Sequence, residues 1–109
     1  MKKKFRVKRN EEFTEILNKK RFVSSSSYVI YYANRKEDYA RGGISVPKKM
    51  GDAVDRNRIK RQIRMMLQDI IDFDNGKKDF IVIARKGYLD KSYEDNRNDL
   101  EMLCKKAII

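Results

Sequence analysis

The sequence predicts a single α+β domain, a two-layer sandwich spanning residues 1–109, from the order of its helix and strand signals. Three segments rich in β-branched and aromatic residues alternate with three segments whose apolar residues recur every three or four positions. In order they give α-β-β-α-β-α, with room for an extra short strand near residues 20–25. A strand–helix–strand unit that follows two strands is typical of helices packed on a sheet. A chain of 109 residues is large enough for one such core.

The first nine residues carry six basic side chains around Phe5 and Val7. A solvated, partly disordered basic arm is one interpretation, and electrostatic attachment to phosphates is the other; both can hold together. Asn10 is then predicted to cap a first helix, with two glutamates in the first turn, where the helix dipole favours negative charge. The apolar face of this helix, whose simplest role is core packing, consists of Phe13, Ile16 and Leu17.

Residues 28–33 (YVIYYA) are predicted to form a strand that is apolar on both faces. Such a strand normally lies centrally in a sheet, although one tyrosine-bearing face could instead stack on bases. Residues 39–46 (YARGGISV) form the next predicted strand, and a charged turn over 34–38 suggests an antiparallel hairpin. Pro47 ends the second strand because it has no N–H to donate.

Residues 48–64 (KKMGDAVDRNRIKRQIR) predict a turn followed by a strongly basic helix with Asp52 as its N-cap. Five of the nine residues from Arg56 to Arg64 are basic, whereas Ile59 and Ile63 lie one helical turn apart. One side of this helix should therefore pack on the core while the other faces an anionic partner. The helix is expected to continue through the apolar residues of 65–71 and to stop at Asn75-Gly76.

The last third of the chain supplies a buried strand and a closing helix. Residues 79–85 (DFIVIAR) are short, apolar and β-branched, and a loop over 86–91 follows. Ser92 is predicted to cap a helix over about 92–106, with Asp95 completing a capping box. The inner face of this helix, in which the single cysteine is most simply a buried structural thiol, consists of Leu100, Leu103 and Cys104.

Composition excludes several classes of function. The chain has no histidine and one cysteine, which excludes an internal disulfide, zinc sites and Cys-His or Ser-His catalysis. No segment has the roughly 20 apolar residues of a membrane span, and no signal peptide is recognisable, so a cytoplasmic location is expected. The sequence shows neither paired carboxylates nor a phosphate-binding glycine motif, so a protein-borne active site is not expected.

The charge distribution indicates a polyanionic partner. The net charge is +11, and residues 1–64 hold 19 Lys and Arg against 7 Asp and Glu. Nucleic acid is the first candidate, and an acidic membrane surface is disfavoured because no segment has a large apolar interfacial face. Duplex DNA is also disfavoured, since a strand occupies the place of the first helix of a helix-turn-helix. A basic helix face beside an aromatic-bearing sheet suits single-stranded or irregular RNA.

The segment ISVPKKMGDAVDRNRIKRQIR, centred on Arg56-Asn57-Arg58, closely resembles the hallmark of the bacterial ribonuclease P protein subunit. The NEEF helix start, the tyrosine-bearing strand, the lysine pair and the DFIVIAR strand also resemble family features, so the resemblance covers nearly the whole chain. It implies a left-handed βαβ crossover, against the right-handed norm. It also implies a protein that assists a magnesium-dependent catalytic RNA in removing the 5′ leader of precursor tRNA, with the RNA doing the chemistry.

The resemblance also implies two sets of contact residues and no catalytic or metal-binding side chain. The set expected to contact the catalytic RNA is Lys48, Lys49, Arg56, Arg58 and Arg61. The set expected to form a cleft for the single-stranded leader is Phe13, Leu17, Val29, Tyr31, Ser45, Asn57, Lys60 and Arg64. On this interpretation Phe13 and the Val29/Tyr31 face belong to the cleft, and Tyr28, Ile30 and Tyr32 form the core face.

Two residues depart from the family pattern. Leu17 stands where an aromatic residue often occurs, which removes one expected stacking contact. Asp55 places a negative charge directly before the Arg-Asn-Arg run and is expected to pair with Arg58 or Lys48. Two other functions stay open from the residues alone: a structural RNA-binding protein of ribosomal type and, more remotely, a protein-only nuclease.

Overall fold

A four-stranded mixed sheet with three helices forms the fold, in a computed structural model that describes all 109 residues. The helices are α1 (Asn10–Asn18), α2 (Ala53–Ile70) and α3 (Tyr93–Lys106). The strands are β1 (Phe22–Ser24), β2 (Tyr28–Asn34), β3 (Arg41–Ser45) and β4 (Lys78–Ala84). The α+β prediction is confirmed, and so is the extra short strand, which is β1.

The sheet order β1-β2-β4-β3 contradicts the predicted hairpin of β2 and β3. β4 lies between them, antiparallel to β2 and parallel to β3, so that β3, α2 and β4 form a βαβ unit. The reason is burial on both faces: Phe80, Ile81 and Val82 are fully buried, whereas β3 carries two glycines and has little apolar surface to bury. The left-handed sense of the crossover stays a prediction from the resemblance.

The main core lies between one face of the sheet and the helices α2 and α3. Tyr28 and Ile30 of β2 are fully buried there, as the core-face prediction requires, and Tyr32 packs at the edge. The helices contribute Ile59, Ile63, Met66, Leu67, Leu100, Leu103 and Cys104. Asp52 and Ser92 cap α2 and α3 by accepting the N–H of Asp55 and Asp95, as predicted.

Two helix boundaries differ from the prediction. α1 already includes Asn10, and the capping position is Arg9, whose side chain makes no capping hydrogen bond. α2 ends at Ile70, five residues before Asn75, because Ile71 is extended and the chain turns to bury Phe73. The Phe73 ring stacks on that of Phe5 at 5.0 Å between centroids, a tertiary contact that the local stop signal does not reveal.

The N-terminal segment packs on the sheet and is not the solvated arm that the lysines suggested. Phe5 and Val7 are 7% and 5% exposed, and the Val7 N–H donates to the Gly42 carbonyl at 3.0 Å. The Phe5 ring also meets Tyr39 edge-on at 5.6 Å. The segment therefore extends the β3 edge, while the side chains of Lys2, Lys3 and Lys4 stay exposed.

The buried cysteine supplies a first testable prediction. Burial raises the pKa of the Cys104 thiol to about 12, with the Glu101 carboxylate adding to the rise. Because the thiolate is the reactive form, we expect the folded protein to resist a thiol reagent at pH 8 and the urea-unfolded chain to react quickly. Timed labelling with and without urea measures this, and equal rates would show that Cys104 is accessible in the folded state.

Candidate RNA interface

The face of the sheet opposite the main core is only partly covered, and its residues align in rows across the strands. One row, at the end of the sheet where β2 begins and β3 ends, contains Ser24, Val29, Ile83 and Ser45. The next row contains Phe22, Tyr31, Ile81 and Gly43. Paired residues project from the same face of a sheet. The predicted cleft residues Val29, Tyr31 and Ser45 therefore share one surface, and all three are half-buried.

Helix α1 covers one end of this face. Ile16 packs with Val7 and Ile81 in a small apolar cluster, and Phe13 and Leu17 lie partly buried against it. The Phe13 ring sits directly over β3: a Cβ on Gly43 would lie 2.6 Å from its Cζ. Since real Cβ contacts are never this short, Phe13 can occupy its place only because residue 43 is glycine.

An ion-pair cluster holds α1 on the sheet. The Arg41 guanidinium on β3 lies 2.6 Å from the Glu12 carboxylate on α1 and 2.9 Å from Asp79 on β4. The Asp79 side chain is only 2% exposed. Burial acts to lower the Arg41 pKa, but the hydrogen bond to Asp79 and the ion pair with Glu12 outweigh it and the pKa is raised, so Arg41 stays charged. This cluster fixes the distance between α1 and the sheet, and hence the shape of the face beside it.

One flank of α2 completes the surface with positive charge. Lys60 and Arg64 border a hollow of about 120 Å³ whose other walls include Phe13 and Gly43. Asn57 lies three and seven residues before them, which places it on the same side of the helix, where it is exposed. The structure thus brings Phe13, Lys60 and Arg64 together, while Leu17, Val29, Tyr31, Ser45 and Asn57 lie on the adjoining surfaces.

The residues predicted to contact the catalytic RNA lie on the turn before α2 and along the first half of the helix. Lys48 and Lys49 are exposed on the turn before the helix, and Arg58 and Arg61 are exposed on the helix itself. Arg56 is half-buried. Arg58 borders a separate hollow with Tyr88 and Leu89. Arg58 therefore lies on the opposite flank of α2 from Lys60 and Arg64. Arg56 lies four residues before Lys60 and Arg61 lies three before Arg64, so the two predicted sets overlap on that side of the helix.

The predicted pairing of Asp55 is confirmed with one of its two candidates. The Asp55 carboxylate lies 3.5 Å from the Arg58 guanidinium, one turn further along α2. Both side chains are about half exposed, so the pair is screened by solvent and leaves Arg58 free to exchange partners.

Two residues on this surface were missed in the sequence. Arg6 lines the same hollow as Lys60 and Arg64. Phe22, exposed at 52%, lies beside Tyr31 with 5.4 Å between ring centroids. The sequence signal for Arg6 was hidden in a run of basic residues, and Phe22 becomes visible only through the β1–β2 register.

The chain offers no evident metal centre and no helix suited to crossing a membrane. No three His, Cys, Asp or Glu side chains are grouped so as to hold a metal ion. None of the helices is both long and apolar enough to cross a membrane.

Comparison with known proteins identifies the family. The family model described as Ribonuclease P matches residues 1–108. The ribonuclease P protein component of Mesoplasma florum is 46% identical over 104 residues, which are 94% of each chain. That of Halalkalibacterium halodurans is 42% identical and covers 100% of this chain and 92% of its own.

Solved structures agree with this result. The RNase P protein of Staphylococcus aureus superimposes with a TM-score of 0.82 at 40% identity, covering 94% of each chain. A mutant of it with defective mRNA degradation activity gives 0.86 at 41% identity, covering 96% of this chain and 89% of its own. The RNase P protein from Thermotoga maritima gives 0.76 at 25%, covering 92% and 96%. These matches favour the ribonuclease P interpretation over the ribosomal-type alternative, and the chain belongs to the ribonuclease P protein family.

Proposed function

We propose that this chain is the protein subunit of a bacterial ribonuclease P, which removes the 5′ leader of precursor tRNA in the cytoplasm. The observation that carries the proposal is the division of α2 into two basic flanks. Lys60 and Arg64 border the sheet face that bears Tyr31, and Arg58 lies on the other flank. A helix so divided can hold one RNA while a second RNA segment lies on the sheet.

The catalytic RNA is assigned to basic residues on the turn before α2 and in the first half of the helix. Lysine supplies charge, and arginine supplies planar donors that match phosphate oxygens. The assigned residues are Lys48, Lys49, Arg56, Arg58 and Arg61. The proximity of Asp55 lowers the positive potential around Arg58. Because the Asp55–Arg58 pair is exposed, it should exchange for an Arg58–phosphate contact when the RNA binds.

The leader is assigned to the sheet face. Unpaired bases can stack on the half-exposed ring of Tyr31 and pack against Val29, while Ser45 and Asn57 offer hydrogen bonds. Lys60 and Arg64 would pair with the leader phosphates at the rim. Phe13 and Leu17 form the wall on the α1 side, which the Arg41 cluster holds in position.

The chemistry is assigned to the RNA partner. Magnesium ions supply the Lewis acid and the activated water of phosphodiester hydrolysis. With no group of three metal-ligating side chains in the chain, we place those ions mainly on the RNA. The protein contributes binding: it raises the affinity for leader-bearing substrate and offsets repulsion between two polyanions with its net charge of +11.

Reconstitution tests the proposal. The protein is combined with the catalytic RNA of a related bacterium and precursor tRNA at low magnesium concentration, where repulsion between the RNAs is least screened. We expect faster cleavage at the mature 5′ end and tighter binding of precursor than of mature tRNA. Unchanged cleavage and unchanged leader affinity would contradict the proposal.

Two control arms address the other functions. The protein alone is incubated with precursor tRNA and with mRNA, because a Staphylococcus aureus relative is linked to mRNA degradation. Hydrolysis without the catalytic RNA would indicate a protein-only nuclease. Stable co-sedimentation with ribosomal subunits, together with no binding to the catalytic RNA, would indicate the ribosomal-type function.

A further inference from the structure

Phe22 is a large aromatic residue placed where it contributes little to the fold. It begins the three-residue edge strand β1, and its side chain is 52% exposed. It belongs to neither apolar cluster, whereas its neighbour Val23 points to the other face and packs on the main core. A solvent-exposed edge position is normally polar or charged. Packing of the protein alone therefore does not account for phenylalanine at this position.

The ring of Phe22 extends the aromatic surface of the sheet by one strand. Phe22 lies directly opposite Tyr31, with 5.4 Å between ring centroids and 41° between ring planes. In the same row, the Phe13 ring lies over Gly43 at the far side of the sheet. Aromatic rings thus stand above β3, β2 and β1 on one face. Leu17, which lies against the same apolar cluster, supplies no ring.

We propose that Phe22 is an additional stacking site for an unpaired base of the bound RNA strand, one position beyond the base on Tyr31. The inference rests on the proposed function, because it extends the leader surface defined above. Stacking on an exposed ring tolerates any base, since every base has a π-face. Arg21, which directly precedes Phe22 and is exposed, supplies positive charge for the adjoining phosphate.

The position of Phe22 also gives the order of contacts. Phe22 lies on the edge strand opposite β3, whose surface adjoins Lys60 and Arg64 of α2. The catalytic RNA, assigned to α2, holds the cleavage site, so the leader leaves it near α2 and crosses the sheet toward β1. Phe22 therefore receives a nucleotide further upstream of the cleavage site than the one on Tyr31.

The test uses the reconstituted holoenzyme and precursor tRNAs whose leaders are shortened one nucleotide at a time. Phe22→Ser should weaken binding of the long-leader precursor by at least about fivefold and leave mature tRNA binding unchanged. On shortening, the effect of Phe22→Ser should vanish at a longer leader than the effect of Tyr31→Ala. Phe22→Tyr should retain the affinity, and Met102→Ala, an exposed apolar residue on α3, serves as the matched control.

A direct readout is available because the chain contains no tryptophan. Phe22→Trp creates a single reporter whose fluorescence should be quenched by long-leader precursor and not by mature tRNA. Quenching by the catalytic RNA alone, or equal losses for precursor and mature tRNA in Phe22→Ser, would overturn the proposal. If Tyr31→Ala weakens leader binding and Phe22→Ser does not, the Phe22 site fails and the leader surface stands. If neither variant has an effect, both the Phe22 site and the assignment of the leader to the sheet face fail, while the reconstitution still decides the proposed function.

Discussion

Arg41→Ala is expected to destabilise the fold by about 3–5 kcal/mol, a large share of the roughly 5–15 kcal/mol that stabilises a small domain. The substitution leaves the Asp79 carboxylate buried without its counter-ion, and one of its oxygens already has no hydrogen-bond partner. It also releases Glu12, and with it the attachment of α1 to the sheet. Urea unfolding followed by circular dichroism measures the loss.

Lys36→Ala is the matched control, since it removes a salt bridge to Glu15, which lies on the same helix as Glu12, and both partners of this pair are about half exposed. Screened surface pairs contribute little, so the midpoint of unfolding should barely move. Arg41→Lys should fall between the two, because an ammonium keeps the charge but is more strongly hydrated than a guanidinium and therefore less suited to a buried ion pair. Equal losses for Arg41→Ala and Lys36→Ala would show that burial does not set the strength of this cluster.

Local patterns predicted the elements of the fold, but strand order depended on a comparison between distant segments. The caps at Asp52 and Ser92 and the apolar faces of the last two helices follow from spacing within a few residues, and these predictions are confirmed. The prediction of a β2–β3 hairpin is wrong because it relied on the nearness of the two strands in sequence. The central place instead went to β4, whose residues Phe80 to Val82 can be buried on both faces.

The candidate site likewise contains features that local patterns predicted and features that depend on distant segments. Charge and helical spacing predicted a basic, solvent-facing side of α2, and the structure divides that side into two flanks. The placement of Val29, Tyr31 and Ser45 on one surface came from the resemblance, because composition alone left the Tyr28 and Tyr31 faces equivalent. Phe5 and Val7 were misjudged since the surrounding lysines dominate that segment, and their burial depends on Phe73 and Gly42, far along the chain.

Tyr31→Ala is expected to weaken binding of leader-bearing precursor by about 1–3 kcal/mol, or roughly 5- to 150-fold, and to leave mature tRNA binding unchanged. The reason is that the partly exposed ring offers a stacking surface, which the proposed function assigns to the leader alone. Tyr31→Phe keeps the ring and should retain most of the affinity. Because Tyr31 also packs against the Ile81 cluster, the ratio of precursor to mature affinity is the quantity to measure, since it is independent of the folded fraction. An equal loss for both tRNAs would refute the assignment of the cleft.

Arg56→Ala on α2 is expected to give the opposite result to Tyr31→Ala on β2, so the pair of variants tests whether there are two RNA surfaces. Arg56 stands at the start of α2, where its side chain approaches the Asp52 carbonyl at 3.4 Å and stays partly exposed. Its loss should weaken assembly with the catalytic RNA and reduce the slope of log K against log salt by about one, as expected for one lost phosphate contact. Within the assembled holoenzyme, the precursor-to-mature ratio should stay the same. If Arg56→Ala instead lowers that ratio as Tyr31→Ala does, the start of α2 belongs to the leader surface and the assignment of Arg56 to the catalytic RNA is wrong.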